Sequence, residues 1–143
     1  MKKCLMIFLV FCFSLAGISC GTKDNTSDNT SAESSSYNDN GTTFTVTVNL
    51  SKYYIDGILT KSLILKKGYS YYFDSTDSTT NNHPLFIGTT SSGGSYTYEY
   101  TPGVTNSRTT TATLTFIVPS DSPSTLYYNC GNHLAMGGTI TIM

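Results

Sequence analysis

From Thr43 onward the chain repeats one pattern, in which short alternating apolar and polar runs are separated by Gly, Pro, Asn, Asp and Ser. Phe44, Val46, Val48 and Leu50 alternate with Thr and Asn. Ala112, Leu114, Phe116 and Val118 alternate again and stop at Pro119, Leu126, Tyr128 and Cys130 share one parity, and Ile140 and Ile142 form the last run. A period of two marks a strand with one face buried, and no helical period competes with it in this region. Ile58-Leu59, Leu63 with Leu65, Tyr69 to Phe73, Leu85 to Ile87, and the alternating Tyr96, Tyr98 and Tyr100 are further strand candidates. The aromatic content of 13%, with 11 Tyr, and the low charged content of 12% are strand-favouring chemistry. About 100 residues carrying about seven to eight antiparallel strands predict an all-β Greek-key β-sandwich or barrel.

Ahead of this region the composition changes twice. Lys2 and Lys3 precede the apolar run CLMIFLVFCFSLAGI, which ends at Ser19-Cys20-Gly21. A basic start, a hydrophobic core and small residues at a cut site describe a secretory signal over residues 1–19, and the run is short for a span of roughly 20 apolar residues. The stretch LAGISC matches a lipoprotein signal at Ile18 and Ser19 but has Gly17 where Leu is usual. On this reading Cys20 is acylated, whereas on the simpler one the signal is plain and Cys20 incidental. Residues 21–42, almost entirely polar, cannot bury enough surface to fold and read as a disordered Ser/Thr/Asn-rich tether. The expected arrangement is a domain over 43–143 held outside the cytoplasm by a lipid, on the periplasmic face or cell surface of a bacterial membrane. A net charge of −1 gives no basic face for nucleic acid, and nothing indicates association beyond a monomer.

Cys4 and Cys12 leave with the signal and Cys20 is committed to lipid, so Cys130 is the one cysteine of the folded part. A lone thiol in an oxidising compartment calls for a reason. It lies in the stretch LYYNCGNHLAMGG, with His133 and Met136 three and six residues on. If Leu126 and Tyr128 face the core, Cys130 does too, at the end of its strand. Gly131-Asn132 then lets the chain turn, so that His133 and Met136 come back toward the same point. The only other histidine is His83, delivered by the polar loop Asp74 to Asn82. Singly, each residue has an ordinary account: Cys130 as a small buried hydrophobe, His83 as a solvated loop residue, His133 and Met136 as turn and packing. Together they supply two imidazoles, one thiolate and one thioether, the set that favours a mononuclear blue-copper centre. Zinc more often draws additional Cys or His ligands.

The stretch Cys130-Gly-Asn-His133-Leu-Ala-Met136 is similar to the ligand loop of the cupredoxins, the type 1 copper proteins, and its spacing resembles the short amicyanin-type loop. The resemblance extends over roughly residues 43 to 143. It implies one type 1 copper ion with His83, Cys130 and His133 as equatorial ligands and Met136 as the axial one. In many relatives the methionine lies two places further on, where this chain has Gly138; a loop of that longer form leaves the axial position open. The resemblance also implies a non-enzymatic carrier of single electrons between redox partners such as a cytochrome or an oxidase. The exposed edge of His133 then serves as the port, and Leu134 and Ala135 as a small apolar docking patch. A copper scavenger or delivery protein uses the same ligands, and a surface adhesion or binding sandwich uses none of them. An enzyme with Cys130 as nucleophile and His133 as base lacks a nearby Asp or Glu to orient the imidazole.

Pro84, directly after the first expected ligand, has no N–H. In the family the residue at that place commonly donates to the metal-bound sulfur, and such outer hydrogen bonds tune a metal site. Without the donor the sulfur stays more electron-rich and favours Cu(II). Pro84→Ala is therefore expected to raise the reduction potential, measured by voltammetry on the copper-loaded protein; an unchanged or lower potential rules the idea out.

Overall fold

A computed structural model describes residues 38–143. Ten strands follow in order: β1 Asn38–Asn49, β2 Lys52–Ile55, β3 Ile58–Leu59, β4 Leu63–Leu65, β5 Tyr69–Asp74, β6 Leu85–Gly88, β7 Val104–Thr105, β8 Thr113–Ile117, β9 Thr125–Cys130 and β10 Gly138–Ile142. One short 3-10 turn, Ser78–Thr80, interrupts them. The strands form a six-stranded sheet in the order β3-β2-β1-β5-β8-β7 and a four-stranded sheet in the order β4-β10-β9-β6. One buried cluster takes Phe44, Val46, Phe73, Leu114 and Phe116 from the first sheet and Leu65, Leu85, Leu126, Tyr128 and Ile140 from the second. The expected all-β sandwich is therefore what the chain forms. Each large apolar side chain fully removed from water contributes roughly 1.5–3 kcal/mol to that packing.

Three expectations change. The strands are more numerous than expected because the alternating runs are cut by turns, as at Asp56-Gly57, where both residues take positive φ. Not all pairs are antiparallel: β1 runs parallel to β5, with Phe44 opposite Phe73, and β10 runs parallel to β4, with Ile142 opposite Leu65. The stretch Tyr96 to Tyr100 is no strand either. It follows Gly93 and Gly94, both at positive φ, and its backbone bridges to the sheet at Glu99, opposite Gly88. The chain covers the free edge of β6 instead. Tyr100 N–H donates to the Ile87 carbonyl at 2.8 Å, Thr89 N–H to the Tyr98 carbonyl at 2.8 Å, and Arg108 N–H to the Leu85 carbonyl at 2.7 Å. That cover explains why all four residues of an edge strand are buried, since an open edge would leave its backbone groups unpaired.

Strand β1 begins at Asn38, five residues before the expected domain start at Thr43, with Asn38 opposite Tyr69 of β5. Polar residues join the sheet there through backbone pairing with β5. The signal, Cys20 and the tether up to residue 37 lie outside the described residues. Among the described residues no helix is long and apolar enough to cross a membrane.

Gly137, at the entrance to β10, is fixed by packing. A Cβ there would overlap the Tyr128 carbonyl oxygen of the neighbouring strand. Backbone cannot swing aside as a side chain can, so Gly137→Ala is expected to cost about 3 kcal/mol, read from the denaturant midpoint of the full chain. A loss well under half of that would show that β9 and β10 part easily.

Candidate metal centre

Each expected ligand is placed by backbone pairing. Cys130 ends β9 and faces Leu85 of β6. Two residues before Leu85 stands His83, and the Gly131 N–H donates to the Pro84 carbonyl at 2.9 Å. The Asn132 side-chain amide donates to the Asn82 carbonyl at 2.8 Å. The polar loop that carries His83 is itself ordered. The Asp77 carboxylate caps the 3-10 turn by accepting from the Thr79 N–H at 2.9 Å, as an Asp at such a position commonly does. The buried Thr80 hydroxyl sits against the carbonyls of Ser75, Asp77 and Thr110, and the His83 N–H donates to the Thr80 carbonyl at 2.8 Å. Asn82 takes a positive φ of 66° just before the histidine, a conformation Asn tolerates better than most residues.

The loop from Gly131 to Gly137 is pinned on its other side. Gly94 N–H donates to the Cys130 carbonyl and Ala135 N–H to the Ser92 carbonyl, both at 2.9 Å. Lys52 Nζ donates to the Ala135 carbonyl, and Tyr53 N–H to the Met136 carbonyl at 3.0 Å.

Three ligand-type atoms converge. His83 Nδ1 lies 3.2 Å from His133 Nδ1 and 3.9 Å from Cys130 Sγ, and His133 Nδ1 lies 3.4 Å from the sulfur. A triangle with these edges has its centre about 2.0 Å from each corner, close to metal–imidazole bonds of about 2.0–2.1 Å and metal–thiolate bonds of about 2.3 Å. The donors are therefore spaced to fit one ion. Cys130 is fully buried, while both imidazoles are partly exposed. Burial, and then the neighbouring His133, hold the His83 imidazole below its ordinary pKa, so it presents the neutral ring a metal requires. Met136 is 1% exposed and packed in the same core cluster as Cys130. The three expected equatorial donors thus lie together, and the expected axial donor Met136 lies buried in the same cluster as Cys130.

Two tyrosines lie beside the site, Tyr53 and the Tyr96 of the expected alternating run. The Tyr53 hydroxyl donates to the His83 carbonyl at 2.6 Å. Tyr96 lies over the Cys130–Gly131 turn, where a Cβ on Gly131 would overlap its phenol. Its ring meets Phe86 edge-on at 5.2 Å and carries the Arg108 guanidinium 4.2 Å above its centroid. Arg108 is held in turn by the Glu99 carboxylate, which also accepts from Ser107. No local signal in the sequence points to these contacts. Tyr128, by contrast, turns its hydroxyl to the Lys61 carbonyl at 2.9 Å.

The class follows from the donors. Two imidazoles and one buried thiolate in a trigonal set, on a β-sandwich, fit one type 1 copper ion; a closed structural zinc site takes four Cys or His ligands. In backbone trace the chain is similar to solved structures of rusticyanin. One, a structure of that copper protein, has a TM-score of 0.45 and 15% identity over 72% of this chain and 78% of the other. Another, from Thiobacillus ferrooxidans, has a TM-score of 0.42 and 15% identity over 72% and 77%. Likeness so loose bears on neither ligands nor function, and the metal assignment stands on the donor atoms. No family model matches the sequence, and a search of curated proteins finds no relative.

The Glu99–Arg108 pair that braces Tyr96 is open to a pH test. Burial alone would raise the Glu99 pKa, but hydrogen bonds from Arg108 and Ser107 outweigh it and hold the carboxyl below its ordinary value. A depressed pKa means stabilisation that is complete above the unfolded value of about 4.3 and lost as pH falls through the folded one. Glu99→Gln is expected to cost about 1 kcal/mol at pH 7. The gap from wild type should close as pH drops below about 4, followed by thermal melts across pH; a gap constant with pH contradicts this.

Proposed function

We propose that this protein is an extracytoplasmic, membrane-anchored blue copper protein that carries single electrons between redox partners. The observation that carries the reading is the convergence of His83 Nδ1, His133 Nδ1 and the buried Cys130 sulfur within 4.8 Å of one another. Copper bound there supplies a one-electron couple. The chain's own part is to hold the donors in one arrangement for both oxidation states. Paired strands on one side, and on the other backbone hydrogen bonds with residues 92, 94 and 53 and the Lys52 ammonium on the Ala135 carbonyl, support that role, because neither set depends on the ion. A cage that moves little on electron arrival has a low reorganisation cost.

Met136 serves as the weak axial donor in this reading, supported by its burial beside Cys130 in the core cluster. Electrons pass through the partly exposed edge of His133. Leu134, 72% exposed, and the exposed Ala135 beside it offer a small apolar contact suited to brief, small-area encounters with a cytochrome or an oxidase. The protein works as a monomer, tethered by the lipid at Cys20, and takes no part in catalysis.

The test is the visible spectrum of the copper-loaded full chain, beside Cys130→Ser and His83→Ala. An intense thiolate-to-copper band is expected in the wild type, abolished in Cys130→Ser and lost or strongly altered in His83→Ala. A colourless Cu(II) protein refutes the copper reading. A coloured protein that cannot be cycled reversibly between oxidation states points to copper storage or delivery instead.

A further inference from the structure

The two ligand-bearing segments, His83 ahead of β6 and the loop from Cys130 to Met136 ahead of β10, both belong to the four-stranded sheet. One residue of the opposite sheet touches both. Tyr53 sits in β2, paired with Val48 of β1, and is wholly buried. Its backbone N–H donates to the Met136 carbonyl at 3.0 Å, and its hydroxyl donates to the His83 carbonyl at 2.6 Å.

The chemistry at His83 makes this contact consequential. The residue before a proline has a restricted backbone, and the next peptide nitrogen, that of Pro84, has no hydrogen with which to organise the turn. The rotation of the His83 carbonyl about its own Cα also sets where the imidazole points. A buried phenol bonded to that carbonyl fixes the rotation from outside the loop. A tyrosine hydroxyl carries its proton at neutral pH. It is therefore able to donate.

We infer that Tyr53 is a positioning residue for the metal centre, a bolt between the sheets that fixes His83 against Cys130 and the His133–Met136 loop. It acts through the ligands and is not itself one. This rests on the copper reading above. Its consequence is that the hydroxyl, an atom that need not touch the ion, controls how tightly and with what electronic structure the ion is held.

The experiment compares full-length wild type, Tyr53→Phe and Tyr128→Phe. Cu(I) affinity is measured by competition with a chromophoric chelator, and the thiolate-to-copper band is recorded on Cu(II)-loaded samples. Phe keeps the ring, whose centroid lies 6.3 Å from that of Tyr128. Tyr53→Phe is expected to lose about 10-fold or more in Cu(I) affinity and to shift the band. Tyr128→Phe removes an equally buried hydroxyl, one bonded to the Lys61 carbonyl, and should leave affinity and band as in wild type. Unchanged affinity and band in Tyr53→Phe, or the same changes in Tyr128→Phe, overturn the assignment. If Tyr53→Phe does not fold, the Cu(I)-loaded wild type decides by NMR. A slowly exchanging Tyr53 hydroxyl proton close to His83 supports the bolt, and a rapidly exchanging one overturns it. A wild type that takes no copper overturns the site reading itself, whereas a wild type that loads normally beside an unchanged Tyr53→Phe overturns only the role of Tyr53.

Discussion

The pairing of β6 with β9, which sets Leu85 opposite Cys130, is the contact on which the centre depends. It fixes the cysteine at the last rung of the ladder and puts the preceding turn of the partner strand, with His83, within reach of the sulfur. The next link, Gly131 N–H to the Pro84 carbonyl, extends the pairing past the end of the strands and into the ligand loops. A slip of one residue would turn the Cys130 side chain to the other face of the sheet and separate it from both histidines. The register is held from the other side as well, because β9 pairs with β10 and Gly138 lies opposite Tyr128. Site geometry is thus a consequence of sheet register and not of the loop alone.

Electrostatics then explains why such a site calls for a cation. A thiolate at the buried end of β9 is expensive without a partner, since removing a charge from water is compensated only by pairing or by a metal. Two cations that reach the neighbourhood of the loop are already engaged. Arg108, the cation stacked on the neighbouring Tyr96, is already engaged by Glu99, and Lys52 donates to the Ala135 carbonyl. The two imidazoles add lone pairs to those of that sulfur. A metal ion held by these donors would be the partner that such a sulfur lacks.

Much of this was legible because the informative residues are scarce. With two histidines and one cysteine in the folded part, a shared parity with Leu126 and Tyr128 sufficed to place Cys130 inward, and turn residues on either side sufficed to bring His133 back to it. Long-range pairing was not legible. The parallel partnerships of β1 with β5 and of β4 with β10 join segments whose own alternation is equally compatible with antiparallel neighbours. The alternation of Tyr96, Tyr98 and Tyr100 has the same period as a strand, yet the positive φ of Gly93 and Gly94 and the pull of Arg108 on Tyr96 make it a cover over β6. Asn38 to Thr42 escaped for the opposite reason, since this polar stretch pairs with β5 without a hydrophobic period in its sequence. The contact of Tyr53 was not legible because its hydroxyl partner lies 30 residues away.

Rigidity and access are reconciled by dividing the loop between its backbone and its side chains. Leu134 forms a backbone bridge with Gly93, where a Cβ would press on the carbonyls of His133 and Cys130, so only glycine allows the two chains to approach this closely. The neighbouring Ala135 is tied through its N–H to Ser92 and through its carbonyl to Lys52. With the main chain held by four separate segments (β2, β6, β9 and residues 92–94), Asn132 is the loop side chain that adds a hydrogen bond, to the Asn82 carbonyl, and the apolar side chains are left free of that task. Met136 can then turn inward while Leu134 stays almost wholly in solvent. Had the loop been anchored by burying Leu134, the surface beside His133 would have been closed by the anchor itself. Backbone anchoring is what lets a centre be immobile and still present an apolar rim to a partner.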